Sequence, residues 1–311
     1  MALALVTGGA GFIGSNLVAE LLSRGWDVRV LDDLSTGCRA NLTADVEMIE
    51  GDIRDDAMLR RAMADASVVF HEAALPSVAR SVADPVSTNE VNVDGTLGVL
   101  LAARDAGARV VFASSSSVYG NQDAMPVHEG LVCRPISPYG VSKLAGERYL
   151  HAFTASYRMR TVALRYFNVF GPRQDPNAEY AAVVPKFITA SLEGRAATIY
   201  GDGEQARDFT FVGNIVEANL LAADAGEVAW GGAFNIGCGE RHTVNELLAA
   251  IRGQLGGEGE PAKYEPPRPG DVRESHASID AARDALGYAP AFGFEDGIAR
   301  TVAWYREQEV L

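Results

Sequence analysis

Residues 2–15 read ALALVTGGAGFIGS, and the fold follows from what this stretch leads into. Ala2-Leu3-Ala4-Leu5-Val6 is a short apolar run with no polar alternation, the pattern of a strand buried on both faces. Glycines then stand at 8, 11 and 14. Leu17, Val18, Leu21 and Leu22 line one side of a helical pattern that stops at Gly25. Residues 27–31 read as a second strand, ending at Asp32. Strand, glycine loop, helix, strand and terminal acid stand in the order of a dinucleotide-binding unit. In such a unit Gly8 permits the tight turn and Gly11 lets backbone approach a pyrophosphate at the helix N-terminus. Gly14 lets helix and strand pack closely. Asp32 is placed to accept hydrogen bonds from the adenosine ribose. It would repel a 2′-phosphate, and no arginine follows it until Arg39. NAD is therefore favoured over NADP.

The alternation continues outward. Residues 46–50 form a strand ending in Gly51-Asp52-Ile53, where Asp52 either reaches the adenine amino group or caps the next helix. A helix over 55–63 and a strand over 67–70 follow. The latter ends in His71-Glu72-Ala73-Ala74, whose small residues let backbone approach the cofactor. Asp84-Pro85 starts a long helix through about Ala106 that carries Asn92 and Thr96, and a strand over 109–113 delivers Ser114–Ser117. Strands separated by helices of this length predict an α/β fold, a Rossmann-like doubly wound parallel sheet with right-handed crossovers. Ligands bind beyond the carboxyl ends of such strands, where the serine run lies. Ser137-Pro138-Tyr139-Gly140-Val141-Ser142-Lys143 then opens another helix, with Ser137 as N-cap and Pro138 in the first turn. Tyr139 and Lys143, four apart, share one face. An ammonium beside a phenol lowers its pKa toward neutrality, which makes Tyr139 a candidate general base and the serines a candidate proton relay.

Composition narrows the partners. The 311 residues carry a formal net charge of -14, so there is no electrostatic footprint for nucleic acid or an anionic membrane. No apolar run approaches the roughly 20 residues that span a bilayer. Cys38, Cys133 and Cys238 are scattered, with neither a disulfide framework nor metal-ligand spacing, and the cytoplasm is the expected compartment. After residue 170 the pattern changes. Residues 171–177 are a loop, 179–193 look helical with Pro185 a candidate kink, and 197–200 are a short strand. Segments 207–211, 213–223 and 234–237 are read as returning to the first unit. The expected organisation is thus a domain over 1–170 with returning segments about 207–238. It is interleaved with a smaller C-terminal α/β substrate-binding domain over 171–311. Thr243 caps a helix through about Leu255, and 294–306 form a closing amphipathic helix.

The motifs TGGAGFIGS (7–15), GDIRD (51–55), HEAALPS (71–77), SSSSVYG (114–120), SPYGVSK (137–143), RYFNVFG (165–171), GDGEQARDF (201–209) and RPGDV (268–272) occur in this order. In them the chain resembles the extended short-chain dehydrogenase/reductases, and more closely the nucleotide-sugar 4-epimerases of the UDP-galactose and UDP-N-acetylglucosamine type. The resemblance implies that Tyr139 is the base, Lys143 its partner, and Ser115 the catalytic hydroxyl, with Ser116 and Ser117 near enough to leave that choice open. It implies NAD contacts at Gly8, Gly11, Phe12, Ile13, Gly14, Asp32, Asp52, Ile53, Ala73, Ala74, Asn92, Ser114 and Tyr166, and places Phe167 against the nicotinamide. For a UDP-sugar it implies Ser77, Ser116, Ser117, Asn168, Val183, a uracil contact at Tyr200, diphosphate clamps at Arg207 and Arg268, ribose recognition by Asp271, and a size gate at Ser275. It also implies a homodimer formed through helices 84–106 and 138–158.

The implied reaction is C4 epimerisation through a transient 4-keto sugar. The acid pair that sugar 4,6-dehydratases carry after the catalytic hydroxyl is replaced here by Ser116 and Ser117. Uronate epimerases and decarboxylases of the same fold stay open, with Arg80 and Arg173 the nearest cations for a sugar carboxylate. A regulator without turnover would be expected to lose Tyr139 or Lys143, and both are present. Small residues at Ser77 and Ser275 imply that the acetamido sugars are accepted, alone or alongside UDP-glucose and UDP-galactose.

Overall fold

A computed structural model of the chain describes residues 3–177, 182–257, 259–267 and 273–309. Its centre is a seven-stranded sheet. β1 (Leu3–Thr7), β2 (Asp27–Asp32), β3 (Glu47–Glu50), β4 (Ala66–His71), β5 (Arg109–Ser115) and β6 (Thr161–Tyr166) are joined at the edge by the strand Gly232–Ile236. The spatial order is β3-β2-β1-β4-β5-β6 and then Gly232–Ile236, with every neighbouring pair parallel. The chain winds outward from β1 to β3, then crosses back to β4 and winds the other way. That reversal opens a crevice at the carboxyl ends of β1 and β4.

The apolar run of β1 is buried on both faces. Ala4 and Val6 share a core cluster with Leu17, Val18 and Leu21 of α1 (Phe12–Ser23). Leu5 belongs to the opposite cluster with Leu59 and Ala62 of α2 (Asp56–Met63) and Val99 and Leu100 of the helix Gly95–Ala106. Helices on both faces and continuous apolar strands are one fact seen twice: a parallel strand alternates its side chains between two covered faces.

The long helix expected from Asp84 to Ala106 is present, with one irregularity inside it. Asp84 caps the short helix Pro85–Asn89 by accepting from Ser87 N at 3.0 Å, a π-turn follows over Glu90–Asp94, and Gly95–Ala106 completes the run. Pro85 sits in the first turn, where a helix tolerates proline, so it marks the start without interrupting the run. The smaller lobe is built around Phe170, Phe187, Ile188, Phe209, Leu247 and Ile298. Its helix Val183–Leu192 places Pro185 in the first turn, so this proline does not kink it. Thr243 and Glu246 form a reciprocal capping box on the helix Val244–Leu255. The last helix, Phe294–Glu309, runs further than expected.

Candidate active site

The glycine loop is shaped by close approach. Gly8 has φ +70°, and a Cβ there would lie 2.6 Å from Ala73 N. A Cβ on Gly14 would lie 2.2 Å from Gly8 O. Neither position admits a side chain. At Gly11, the N-cap of α1, a Cβ would meet Gly8 O alone, at 3.2 Å, and so the backbone there is open to a ligand. Asp32 is buried and holds the loop, accepting from Ala10 N at 2.9 Å and Leu34 N at 2.8 Å. Burial raises its pKa against those two bonds. A carboxylate has about four acceptor positions, so two remain for a ribose diol. Asp52 pairs with Arg54 at 2.6 Å, which lowers its pKa, and the cap of α2 is Asp55, not Asp52.

These residues line a cavity of about 890 Å³ that runs along the carboxyl edge of the sheet. Its walls include Gly8, Gly11, Phe12, Ile13, Gly14, Asp32, Asp52, Ile53, Ala73, Ala74, Ser114 and Tyr166. An elongated cavity, a backbone-lined glycine turn and a carboxylate with spare acceptors fit an adenine dinucleotide. Asn92 does not line it. Its amide accepts from Leu75 N at 2.8 Å and donates to Ser142 Oγ at 3.0 Å, so it braces the loop after β4 from behind. Phe167 is fully buried beside the ring of Tyr119, at 6.4 Å between centroids, and is not part of the cavity wall. Its N–H continues the sheet by donating to Ile236 O, and its ring enters the core.

Ser115, Ser116, Ser117 and Tyr139 line the same cavity. Ser137 caps the helix Pro138–Tyr157, accepting from Gly140 N at 3.1 Å. A Cβ at Gly140 would lie 2.6 Å from Ser117 O, so glycine is what lets this helix start against the serine run. Ser115 Oγ donates to Ser117 Oγ at 3.1 Å and accepts from Ser117 N at 3.2 Å, and it lies near enough to the Tyr139 phenol to favour its ionised form. Lys143 Nζ donates to Ala113 O at 2.7 Å and lies 5.9 Å from the centre of the Tyr139 ring. The expected fall of the phenol pKa toward neutrality is not met. Burial outweighs the nearby Ser115 hydroxyl and pushes Tyr139 up to about 12, while burial draws Lys143 down to about 8.

Behind this edge lies a closed polar cluster. Ser114 Oγ donates to Glu147 Oε1 at 2.5 Å. Glu147 also takes Arg165 Nε at 2.9 Å and Nη2 at 2.7 Å. Arg165 donates to Tyr119 OH at 2.8 Å, and Tyr119 to Asn235 Oδ1 at 2.7 Å. His71 is locked beside it. Thr96 Oγ1 gives its hydrogen to Asn92 O at 2.7 Å, so it accepts from His71 Nε2, and Nδ1 accepts from Thr7 Oγ1 at 2.7 Å. Burial and Lys143 hold this imidazole neutral, with a pKa of about 3.

A second cavity, of about 620 Å³, adjoins the first and shares Asn168, Val169, Pro176 and Ala182 with it. Val183, Tyr200 and Arg207 line it, with Lys186, Thr198 and Gln205, which the sequence reading did not single out. Asn168, at φ +30°, donates to Asp208 O at 3.3 Å. Ser77 lines the first cavity and caps the helix Val78–Ala83, accepting from Arg80 N at 3.1 Å. Arg268 and Asp271 lie outside the described residues. Ser275 lines neither cavity; it pairs with Arg207 across two short parallel strands, and its carbonyl accepts from Asp208 N at 2.8 Å. Glu72 was given no role from sequence, yet it lines the first cavity and accepts from Tyr166 OH at 2.7 Å. The signal was its place directly after a buried strand, the same signal that picked out the serine run.

Residues 4–237 match the family described as NAD dependent epimerase/dehydratase, and the chain belongs to that family. It is 43% identical over 313 residues to a UDP-glucose 4-epimerase of Mycolicibacterium smegmatis, covering 98% of each protein. Among solved structures it is similar to the UDP-glucose 4-epimerase of Thermotoga maritima with UDP-glucose, at 40% identity and TM-score 0.94 over 99% of each chain. It is likewise similar to a UDP-N-acetylglucosamine 4-epimerase from Methanobrevibacter ruminantium in complex with UDP-N-acetylmuramic acid, at 42% identity and TM-score 0.93 over 99% of each chain.

Proposed function

We propose that this chain is an NAD-dependent UDP-hexose 4-epimerase. The observation that carries the reading is the placement of Ser115 and Tyr139 in the wall of one cavity, with Lys143 buried behind the Tyr139 ring, beside a second, cation-bearing cavity that shares part of that wall. NAD, when bound, supplies the acceptor and donor of the hydride at sugar C4. The glycine loop and Asp32 hold its adenosine end. Tyr139 takes the O4 proton and returns it, and Ser115 carries the proton to or from the sugar hydroxyl. Lys143, anchored on Ala113 O, offers its remaining hydrogens to the nicotinamide ribose and steadies the phenolate. Ser114 has its hydroxyl committed to Glu147, which favours Ser115 as the relay. Arg207, with Arg268 and Asn168, would hold the diphosphate, and Tyr200 the uracil. With the diphosphate held and the hexose held loosely, these residues would leave the sugar free to present either face of C4.

Ser116 and Ser117 supply no acid and base for a C5–C6 elimination, which favours epimerisation over dehydration. Ser77 in the cavity wall supports room for a 2-acetamido group; Ser275, lining neither cavity, lends that reading no geometric support. Incubation with UDP-glucose, UDP-N-acetylglucosamine and UDP-glucuronate separately, followed by ¹H NMR, tests the reading. C4 epimers of at least one neutral sugar are expected. Turnover of UDP-glucuronate alone would replace it with a uronate enzyme, for which Arg80 and Arg173 are the cations in the wall.

We further propose a homodimer and a cytoplasmic setting. Val78, Val82, Val86, Leu101, Val141 and Tyr157 are exposed on the helices between 78 and 106 and on Pro138–Tyr157, an apolar surface suited to a second copy. The three cysteines are free thiols, which suits a reducing compartment. Among the described residues no helix is long and apolar enough to cross a membrane.

A further inference from the structure

Glu72 has no part in the proton path above, yet its surroundings are built around it. It lines the dinucleotide cavity with Ser115, Tyr139 and Tyr166. The direction of its hydrogen bond follows from the network behind it. Asn219 Nδ2 gives one hydrogen to Ile215 O at 2.9 Å and the other to the Tyr166 hydroxyl at 2.7 Å. Turned over, the amide would set its oxygen against the Ile215 carbonyl. Tyr166 therefore accepts from Asn219, and its single hydrogen goes to Glu72 Oε1 at 2.7 Å. Asn219 and Tyr166 are both buried, so water does not compete for this orientation. The chain of donors ends on the carboxyl group.

The titratable groups around Glu72 come from three elements. His71, next to it after β4, is neutral. Tyr166 of β6 donates to it. Tyr139 and Lys143, from the helix Pro138–Tyr157, interact with it electrostatically, and Lys143 is the cation among them. Burial raises the Glu72 pKa to about 7, against the Tyr166 hydrogen bond and Lys143, which both lower it.

We propose that Glu72 is a positioning residue for the redox couple: a carboxylate set beside Tyr139 and Lys143 that favours the cationic, oxidised nicotinamide over the neutral, reduced one. The inference rests on reading the cavity as the NAD site. During oxidation of the sugar the C4–H bond breaks and its electron pair and hydrogen pass to the nicotinamide. The O4 proton passes to Tyr139. The ring's positive charge is lost, so Glu72 loses its counter-charge and takes up a proton from solvent. The return step releases that proton. An epimerase gains from this bias, because its cofactor must end each turnover oxidised.

The test uses holoenzyme equilibrated with defined NAD and NADH mixtures, freed of unbound nucleotide and read by absorbance of the bound reduced form. In the wild type the preference for NAD over NADH should fall as pH drops from 7.5 to 6.0, because protonation removes the Glu72 charge. Lys143 titrates nearer pH 8, so the window stays below that. Glu72→Gln should lower the preference about tenfold at pH 7.5, equivalent to about 30 mV for a two-electron couple, and flatten the profile. A variant with the wild-type preference and profile overturns the proposal. Tyr166→Phe keeps the carboxyl group but removes its donor, and should move the wild-type profile to higher pH. If Glu72→Gln does not fold, an unmoved profile in Tyr166→Phe overturns the proposal instead. A wild-type protein that binds neither nucleotide refutes the reading of the cavity, a different failure from a Glu72 without effect.

Discussion

Adjacent residues of one strand sort into two regions of opposite character. Ser115 and Ser114 both reach the cavity wall, but Ser115 lies beside Tyr139 while Ser114, one residue earlier, has its hydroxyl committed to Glu147. The helix Pro138–Tyr157 serves both, with Tyr139 and Lys143 in its first turns and Glu147 one turn further on. In the closed region Glu147 accepts three charge-assisted or hydroxyl hydrogen bonds, and Arg165 and Tyr119 carry the network on to Asn235. In the open region Tyr139, Lys143 and Glu72 are all pushed by burial toward their neutral forms. The closed cluster is paired within the protein and contributes stability. The open one keeps bonding capacity for what enters the cavity, and contributes chemistry.

The largest separation should come from Tyr139→Phe. A general base contributes typically 10²–10⁴ to the rate, so kcat should fall by about 10³-fold or more, while the melting temperature stays close to that of the wild type. Retained turnover would remove Tyr139 from the mechanism and leave the two regions without a functional difference. Glu147→Ala is the mirror case. It strands Arg165, which is 5% exposed, without its partner, at a cost of about 3–5 kcal/mol. Urea unfolding would show this as a lower midpoint, and a loss under 1 kcal/mol would mean that the cluster is not a stability element.

A finer comparison exchanges the two serines. Ser115→Ala should lower kcat by roughly 10–100-fold with stability within about 0.5 kcal/mol of the wild type. Ser114→Ala removes a hydrogen bond to a charged group and should cost about 1.5–3 kcal/mol with kcat changed only a few-fold. If Ser114→Ala is the one that loses turnover, the relay is Ser114, and the line between the two regions is drawn in the wrong place.

Much of this was legible in sequence, and the parts that were not have separate physical reasons. The glycine triplet, Asp32 and the Tyr139/Lys143 spacing are local patterns whose geometry one strand and one helix set. Their places followed from the order of strands, helices and motifs along the chain. Asn92 was misplaced because a π-turn rotates it toward Leu75, and no residue code marks that turn. Phe167 and Ser275 depend on how separate strands meet, Phe167 through its bond to Ile236 and Ser275 through its register against Arg207. Glu72 was visible at a strand end, but its importance comes from Asn219 and Tyr166, distant in sequence. The direction of the Tyr139 shift failed for another reason: charge proximity can be read from spacing, and desolvation cannot.

The smallest effect is the pH dependence that the open region gives to stability in the absence of ligands. Glu72 is raised from its ordinary value to about 7. Between about pH 4.5 and 7 the folded protein therefore binds a proton that the unfolded chain has released, and the Glu72 contribution to stability falls as pH rises through that range. Lys143 is lowered to about 8, so between about pH 8 and 10.5 the unfolded chain holds the extra proton, and the Lys143 contribution rises with pH. The two signs leave a shallow minimum between them, about 1–2 kcal/mol deep after allowing for solvent around the partly exposed Glu72. Chemical denaturation of wild type and Glu72→Gln at pH 5, 6, 7 and 8 isolates the first limb. The difference between the two proteins should move in the variant's favour from pH 5 to 7 and level off near pH 8. NAD, whose ring is cationic, should fill in the minimum when bound, so its stabilisation of the wild type should be larger at pH 7.5 than at pH 6. A closed cluster cannot respond in this way, because Glu147 already has Arg165 as its counter-charge. A difference curve that runs the other way would mean that Glu72 is ionised and paired throughout, and that the open region is as closed as its neighbour.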